Sequence, residues 1–265
     1  MARGIVLAGP MNERGATENG RGGGVGGTVA ATALWAGVLG GSIYLINRIA
    51  RERRADAQQQ LDRVAYAQLV LGLTAAACFA WRRLCSGKLD TGDGGGGRSH
   101  PVASSLLILA GIQAGQYALT VPGGLRVQDP VRAARALLRY VLLVGLVEEL
   151  WFRGLWFEVC GHRFWPSVIA GSALFGLYHA PHGWRSVVMT AGIGAVFAVA
   201  RYRGVPLWAL AVVHGLIDWL NREILPGARF RIAPSKVPIV FPAYTLMLAG
   251  AVAALPGLTN FRASR

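Results

Sequence analysis

Tyr140-Val141-Leu142-Leu143-Val144-Gly145-Leu146-Val147-Glu148-Glu149-Leu150-Trp151-Phe152-Arg153-Gly154-Leu155-Trp156-Phe157 is an apolar stretch of 18 residues broken only by two glutamates and one arginine. It lies in an apolar block from 136 to 157, long enough for one helix to cross the hydrocarbon core of a bilayer. An ionisable group at that depth costs about 2.5–3.5 kcal/mol even on lenient insertion scales, so each is a functional suspect. Successive helical residues differ in direction by about 100°, so Glu148 and Glu149 cannot share one face. Glu149 and Arg153 are four apart and stack. The expected division of labour is that Glu149 neutralises Arg153 and leaves Glu148 free to face a cavity. The alternative is an ion-paired helix end at the membrane surface, anchored by Trp151 and Trp156.

Similar apolar blocks recur along the chain, at roughly 28–47, 64–81, 102–121, 136–157, 165–181, 186–201, 205–221 and 238–256. The sixth is short and carries Gly192 and Gly194, which makes it the weakest as a full span. The expected fold class is therefore all-α, a polytopic membrane protein of about eight transmembrane helices filling residues 28–257. Residues 1–27, rich in Gly and polar side chains, read as a disordered tail with no secretory signal, and 258–265 as a short C-terminal tail. Residues 48–63 and 87–99 read as loops, charged and Gly-rich respectively. Ahead of the fourth block, Arg132, Arg135 and Arg139 at helical spacing suggest an interfacial turn or two feeding directly into it.

Composition agrees. Hydrophobic residues make up 53% and charged residues 15%, with mean hydropathy +0.41, against about 25% charged in a soluble domain. The formal charge of +14 comes from arginines clustered between apolar blocks, where they meet lipid headgroups; no separate basic domain points to nucleic acid. With eight spans, one side carries 12 Lys/Arg and the other 14, which leaves the orientation undecided. Cys78, Cys85 and Cys160 form no CxxC pair and suggest neither a disulfide framework nor a thiolate zinc site.

Two further patterns accompany the first. Phe175-Gly176-Leu177-Tyr178-His179 closes the fifth block, and Pro181 then ends or bends the helix, leaving His182 and Arg185 in a loop. His214-Gly215-Leu216-Ile217-Asp218 lies late in the seventh; His and Asp four apart share a face and can hydrogen-bond. Each pattern alone also fits a packed histidine or a polar pair joining two helices. Depth adds weight. The fourth block enters the membrane on the side where the fifth and seventh leave it, and Glu148 lies two to three turns in, so all the suspects can meet at one level.

Glu148-Glu149-x-x-x-Arg153, then Phe175-x-x-x-His179, then His214-x-x-x-Asp218, in this order on separate spans, resembles the CAAX-protease and bacteriocin-processing family. These are glutamate-dependent intramembrane endopeptidases, also called type II CAAX prenyl endopeptidases. The resemblance covers roughly residues 130–225. It implies a helical bundle around a hydrated cavity in which Glu148 activates water, His179 assists it and His214 stabilises the oxyanion. Glu149, Arg153 and Phe175 match supporting positions. Asp218 stands where many members have asparagine. An ionised aspartate only accepts hydrogen bonds, so Asp218 is either protonated or orients His214; the second role is expected here.

The implied partners are the lipid bilayer and a protein or peptide substrate, prenylated or carrying a C-terminal sorting signal, with no nucleic acid and no cofactor. The implied location is a prokaryotic cell membrane, crossed several times. Two alternatives stand beside this reading. One is a zinc-dependent membrane protease, although no HExxH helix is present. The other is a non-catalytic transporter, scaffold or immunity factor, although no internal repeat is visible. Neither GxSxG nor a Gly-x-Gly-Asp span supports a serine or aspartyl intramembrane protease.

Overall fold

The computed structural model describes residues 101–121, 129–225, 229–233 and 235–254, with scattered helical positions between 33 and 77. The expected tails, the loop at 87–99, nearly all of that at 48–63, most of the first two apolar blocks, and Cys78 and Cys85 lie outside the described residues.

Helix α1 (Pro101–Leu119) ends in a two-residue strand, β1 (Thr120–Val121). It pairs antiparallel with β2 (Arg229–Phe230), Thr120 opposite Phe230. This short ladder is the sole sheet among the described residues, and the architecture is otherwise helical. The ladder ties the end of α1 to the segment that follows the seventh block.

Helix α2 (Pro130–Arg139) starts where Asp129 accepts a hydrogen bond from the Val131 amide at 3.0 Å, with Pro130 at the first helical position. Its Arg132 and Arg135 are exposed. The helix then runs without a break through a π segment (Tyr140–Gly145), α3 (Leu146–Glu149), a second π segment (Leu150–Leu155) and α4 (Trp156–Val159). The feed from an arginine-bearing segment into the fourth block is thus continuous. A tight turn follows, in which Gly161 and His162 take φ of 60° and 55°.

A π segment (Trp165–Ala170) leads into α5 (Gly171–Tyr178), and Ala180–His182 forms a single 3-10 turn after it. Pro181 cannot extend the helix, so the chain breaks there. Arg185 belongs to the first turn of α6 (Trp184–Tyr202), not to a loop. The sixth block, expected to be the weakest, is therefore a 19-residue helix. Its glycines permit close contacts: a Cβ on Gly192 would collide with Thr245, and one on Gly194 would touch Phe175 and Arg153. Helix α7 (Leu207–Trp219) continues into a π segment (Leu220–Ile224), and α8 (Val237–Ala254) closes the described chain.

Each of the last six apolar blocks thus coincides with a helix. Among the described residues, α8 is by itself long and apolar enough to cross a membrane, with mean hydropathy 1.8 over 18 residues. Helix α1 is apolar over the shorter Ala103–Leu119, and the other long helical runs carry charge or π segments. Large apolar side chains on several helices face outward, among them Leu106, Leu177, Trp208, Ile239 and Met247. A hydrocarbon surround would cover such a surface without the solvation penalty it carries in water. The interior is aromatic: Phe152, Phe157, Phe175, Phe197 and Phe241 are fully buried.

Candidate active site

The site begins at a backbone crossing. A Cβ placed on Gly215 of α7 would lie 2.5 Å from the Val141 Cα, and one on Gly145 would collide with the Ala211 carbonyl oxygen. Only hydrogen at both positions lets the two helices touch main chain to main chain. The carboxylates lie one turn beyond Gly145 and His214 is next to Gly215, so this contact sets their separation.

The two glutamates occupy the single α-helical turn of α3, between two π segments. Such i→i+5 insertions recur at functional sites because they re-phase the side chains that follow. Glu148, Glu149, Arg153 and His214 are all buried, and Glu149 is 0% exposed. The His214 ring is held between the two carboxylates: Nδ1 lies 2.9 Å from Glu149 Oε1 and Nε2 lies 3.6 Å from Glu148 Oε2. Adjacent helical residues point 100° apart, yet an imidazole with nitrogens on two sides meets both. Arg153 Nη1 donates to the same Glu149 Oε1 at 3.0 Å, and its Nη2 donates to the Gly194 carbonyl at 3.2 Å. The guanidinium also sits 4.3 Å from the Phe175 ring centre. A buried arginine so enclosed is a fixed post for the carboxylate beside it.

Phe175 is the hub of the aromatic wall. Its ring lies 4.9 Å from that of His179 and 5.9 Å from that of His214, and Phe197 covers the other side of His214 at 5.6 Å. His179 caps α5. Its Nδ1 lies 2.9 Å from the Phe175 carbonyl oxygen, which accepts only from an N–H. In the neutral ring this hydrogen bond puts the proton on Nδ1 and the lone pair on Nε2. Glu148 lies within electrostatic reach of His179, His214 and Asp218. Its Oε2 is buried without a hydrogen-bond partner among the described residues. A buried carboxylate oxygen in that condition is a site for a water or a substrate donor.

The structure thus brings Glu148, Glu149, Arg153, Phe175, His179 and His214 together around one point. Asp218 is near but differently placed. The expected hydrogen bond from His214 to Asp218 does not form among the described residues, because Glu149 takes Nδ1. The Glu149 carboxylate therefore serves Arg153 and His214 at once, a double role that i,i+4 spacing did not reveal. Phe197 and the Gly194 carbonyl were also invisible to motif reading; a glycine pair in a short apolar block was the available hint.

The end of the α7 run is tied down separately. Glu223 accepts from Tyr140 Oη at 3.2 Å and pairs with Arg139 at 3.3 Å. Trp219 Nε1 donates to the Ala133 carbonyl at 3.1 Å, and Asn221 Nδ2 to Gln116 Oε1 at 2.8 Å. Burial pushes His182, in the 3-10 turn, below its ordinary pKa, and His179 and Arg222 add to the effect. Among the described residues no three His, Cys, Asp or Glu side chains converge as a metal-binding group.

No curated protein and no solved structure matches the chain. Residues 130–220, a segment that contains every one of these side chains except Gln116, Asn221, Arg222 and Glu223, match the family model described as Type II CAAX prenyl endopeptidase Rce1-like, and over that segment the chain is similar to the CAAX-protease family.

Proposed function

We propose that this protein is a glutamate-dependent intramembrane endopeptidase that crosses the bilayer about eight times and cleaves a peptide bond with water activated by Glu148. The observation that carries the reading is the position of His214 between two carboxylates, 2.9 Å from Glu149 Oε1 and 3.6 Å from a Glu148 Oε2 that accepts no hydrogen bond among the described residues.

In this mechanism water sits between Glu148 and the free Nε2 of His179. Glu148 takes one proton as the oxygen attacks the scissile carbonyl carbon. The carbonyl oxygen gains the negative charge, and His214 Nε2 donates to it. That donation requires the ring to carry a proton on both nitrogens, and the Glu149 carboxylate on Nδ1 supports this form. Glu148 then passes its proton to the leaving amine nitrogen as the C–N bond breaks. Glu149 and Arg153 act through His214 and position it. Asp218, not engaged by His214, keeps its acceptor for a substrate N–H. The substrate class is a protein or peptide presented at the membrane, with a prenylated C-terminal segment as the first probe.

The test is cleavage of quenched-fluorescent peptides, prenylated and not, by the full chain in liposomes. Glu148→Gln keeps the shape and removes the base, and should lower kcat by about 10²–10⁴. Full activity in Glu148→Gln would refute the mechanism. Substrate flux into vesicles without cleavage would instead favour a transporter.

A further inference from the structure

We propose that Gln113 of α1 is a substrate-binding residue of the same pocket, whose carboxamide pairs with the backbone of an extended peptide. This rests on the peptidase reading above and extends it to how the substrate is held.

Gln113 is 7% exposed, and neither its Nε2 nor its Oε1 has a hydrogen-bond partner among the described residues. Burying both ends of a carboxamide unpaired is costly, so such a group in a native fold calls for a ligand. Its direction follows from the helix. Gly111 and Gly115 press on Leu248 and Tyr244 of α8, which fixes that face of α1. Gln113, two residues from each, is turned about 160° away from both. It shares the opposite face with Gln116, three residues on, which holds Asn221 at 2.8 Å. The ends of α1 and of the α7 run lie together, since β1 and β2 pair just beyond them. The two helices therefore run side by side in the same direction, in the register Gln116 to Asn221.

Three residues back along each helix, about 4.5 Å, is Gln113 on α1 and Asp218 on α7. One further turn back on α7 is His214. Gln113 thus stands level with the Asp218 edge of the site, on the wall that the three family motifs do not supply. A carboxamide offers one donor and one acceptor, the complement of a peptide group. Asp218 offers only acceptors. Together they suit an extended backbone laid across the pocket, with its scissile bond at Glu148.

The experiment uses the full chain in liposomes with a farnesylated quenched-fluorescent peptide and a series of variants of it. In each variant one amide flanking the scissile bond is replaced by an ester, which removes one N–H donor and weakens one acceptor. The expected result is that Gln113→Leu raises KM about five- to tenfold, more than it lowers kcat. One ester substrate should show the same rise with the wild-type protein and no additional rise with Gln113→Leu. An equal penalty on every substrate, or no change in KM, would overturn the proposal, since a packing role does not distinguish amide from ester. If Gln113→Leu fails to fold, the ester series on wild type and Gln113→Asn decides: no position-specific KM rise refutes the inference. Cleavage by wild type but not by Glu148→Gln keeps the peptidase reading whatever Gln113 does. Equal cleavage by both, or none by either, removes the reading and this inference with it.

Discussion

Replacing Gly215 by alanine tests whether the helix crossing sets the catalytic geometry. The added Cβ would stand 2.5 Å from the Val141 Cα, whereas ordinary contact begins near 3.4 Å, so the two helices must part by about 1 Å. The obstacle is main chain, which cannot swing aside like a side chain. His214 moves with α7, while Glu148 and Glu149 stay with the long helix. A displacement of that size stretches the His214 Nδ1 to Glu149 Oε1 hydrogen bond from 2.9 Å to nearly 4 Å, beyond bonding range. Overpacking should cost about 1–3 kcal/mol of stability, and misplacement by about 1 Å about 10²-fold in turnover. The assay is kcat in liposomes beside the unfolding midpoint in detergent. Gly250→Ala, where an added Cβ meets nothing within 4 Å, is the control and should be silent. Turnover by Gly215→Ala within threefold of wild type would show that this crossing does not govern the site.

Arg153→Met leaves the Glu149 carboxylate buried without its main counter-charge, and should destabilise the fold by about 3 kcal/mol or more, read from denaturant unfolding in mixed micelles. Because Glu149 holds His214 Nδ1, Glu149→Gln should lower kcat at least tenfold more than Asp218→Asn does; the reverse order would return the orienting role to Asp218. Tyr140→Phe removes one hydrogen bond to Glu223 and should cost about 1 kcal/mol of stability with little change in kcat. Chelators should leave cleavage unchanged, and activity lost to a chelator and restored by zinc would move the chemistry to a metal.

Glu223, Trp219 and Asn221 fasten the end of the α7 run to α2 and α1. The helical run that carries His214 and Asp218 is thereby anchored at its C-terminal end.

The residues themselves determined that the chain is helical and suited to a membrane, and which side chains are candidates for chemistry. Apolar block length reports where the helices lie, and a buried charge in such a block has no inexpensive structural excuse. The pairing of Glu149 with Arg153 was equally legible, because i,i+4 spacing is a local property of one helix. Tertiary structure decided what lies between helices. Glu149 and not Asp218 meets His214, since that contact spans 65 residues and depends on where two glycines let backbones touch. The π segments that re-phase the two glutamates leave no mark in apolar periodicity. Gln113 could not be singled out in advance, as an uncharged amide in an apolar block draws notice only when its neighbours prove unable to pair with it. Periodicity records the face a residue takes on its own helix, and only packing records which other face it meets.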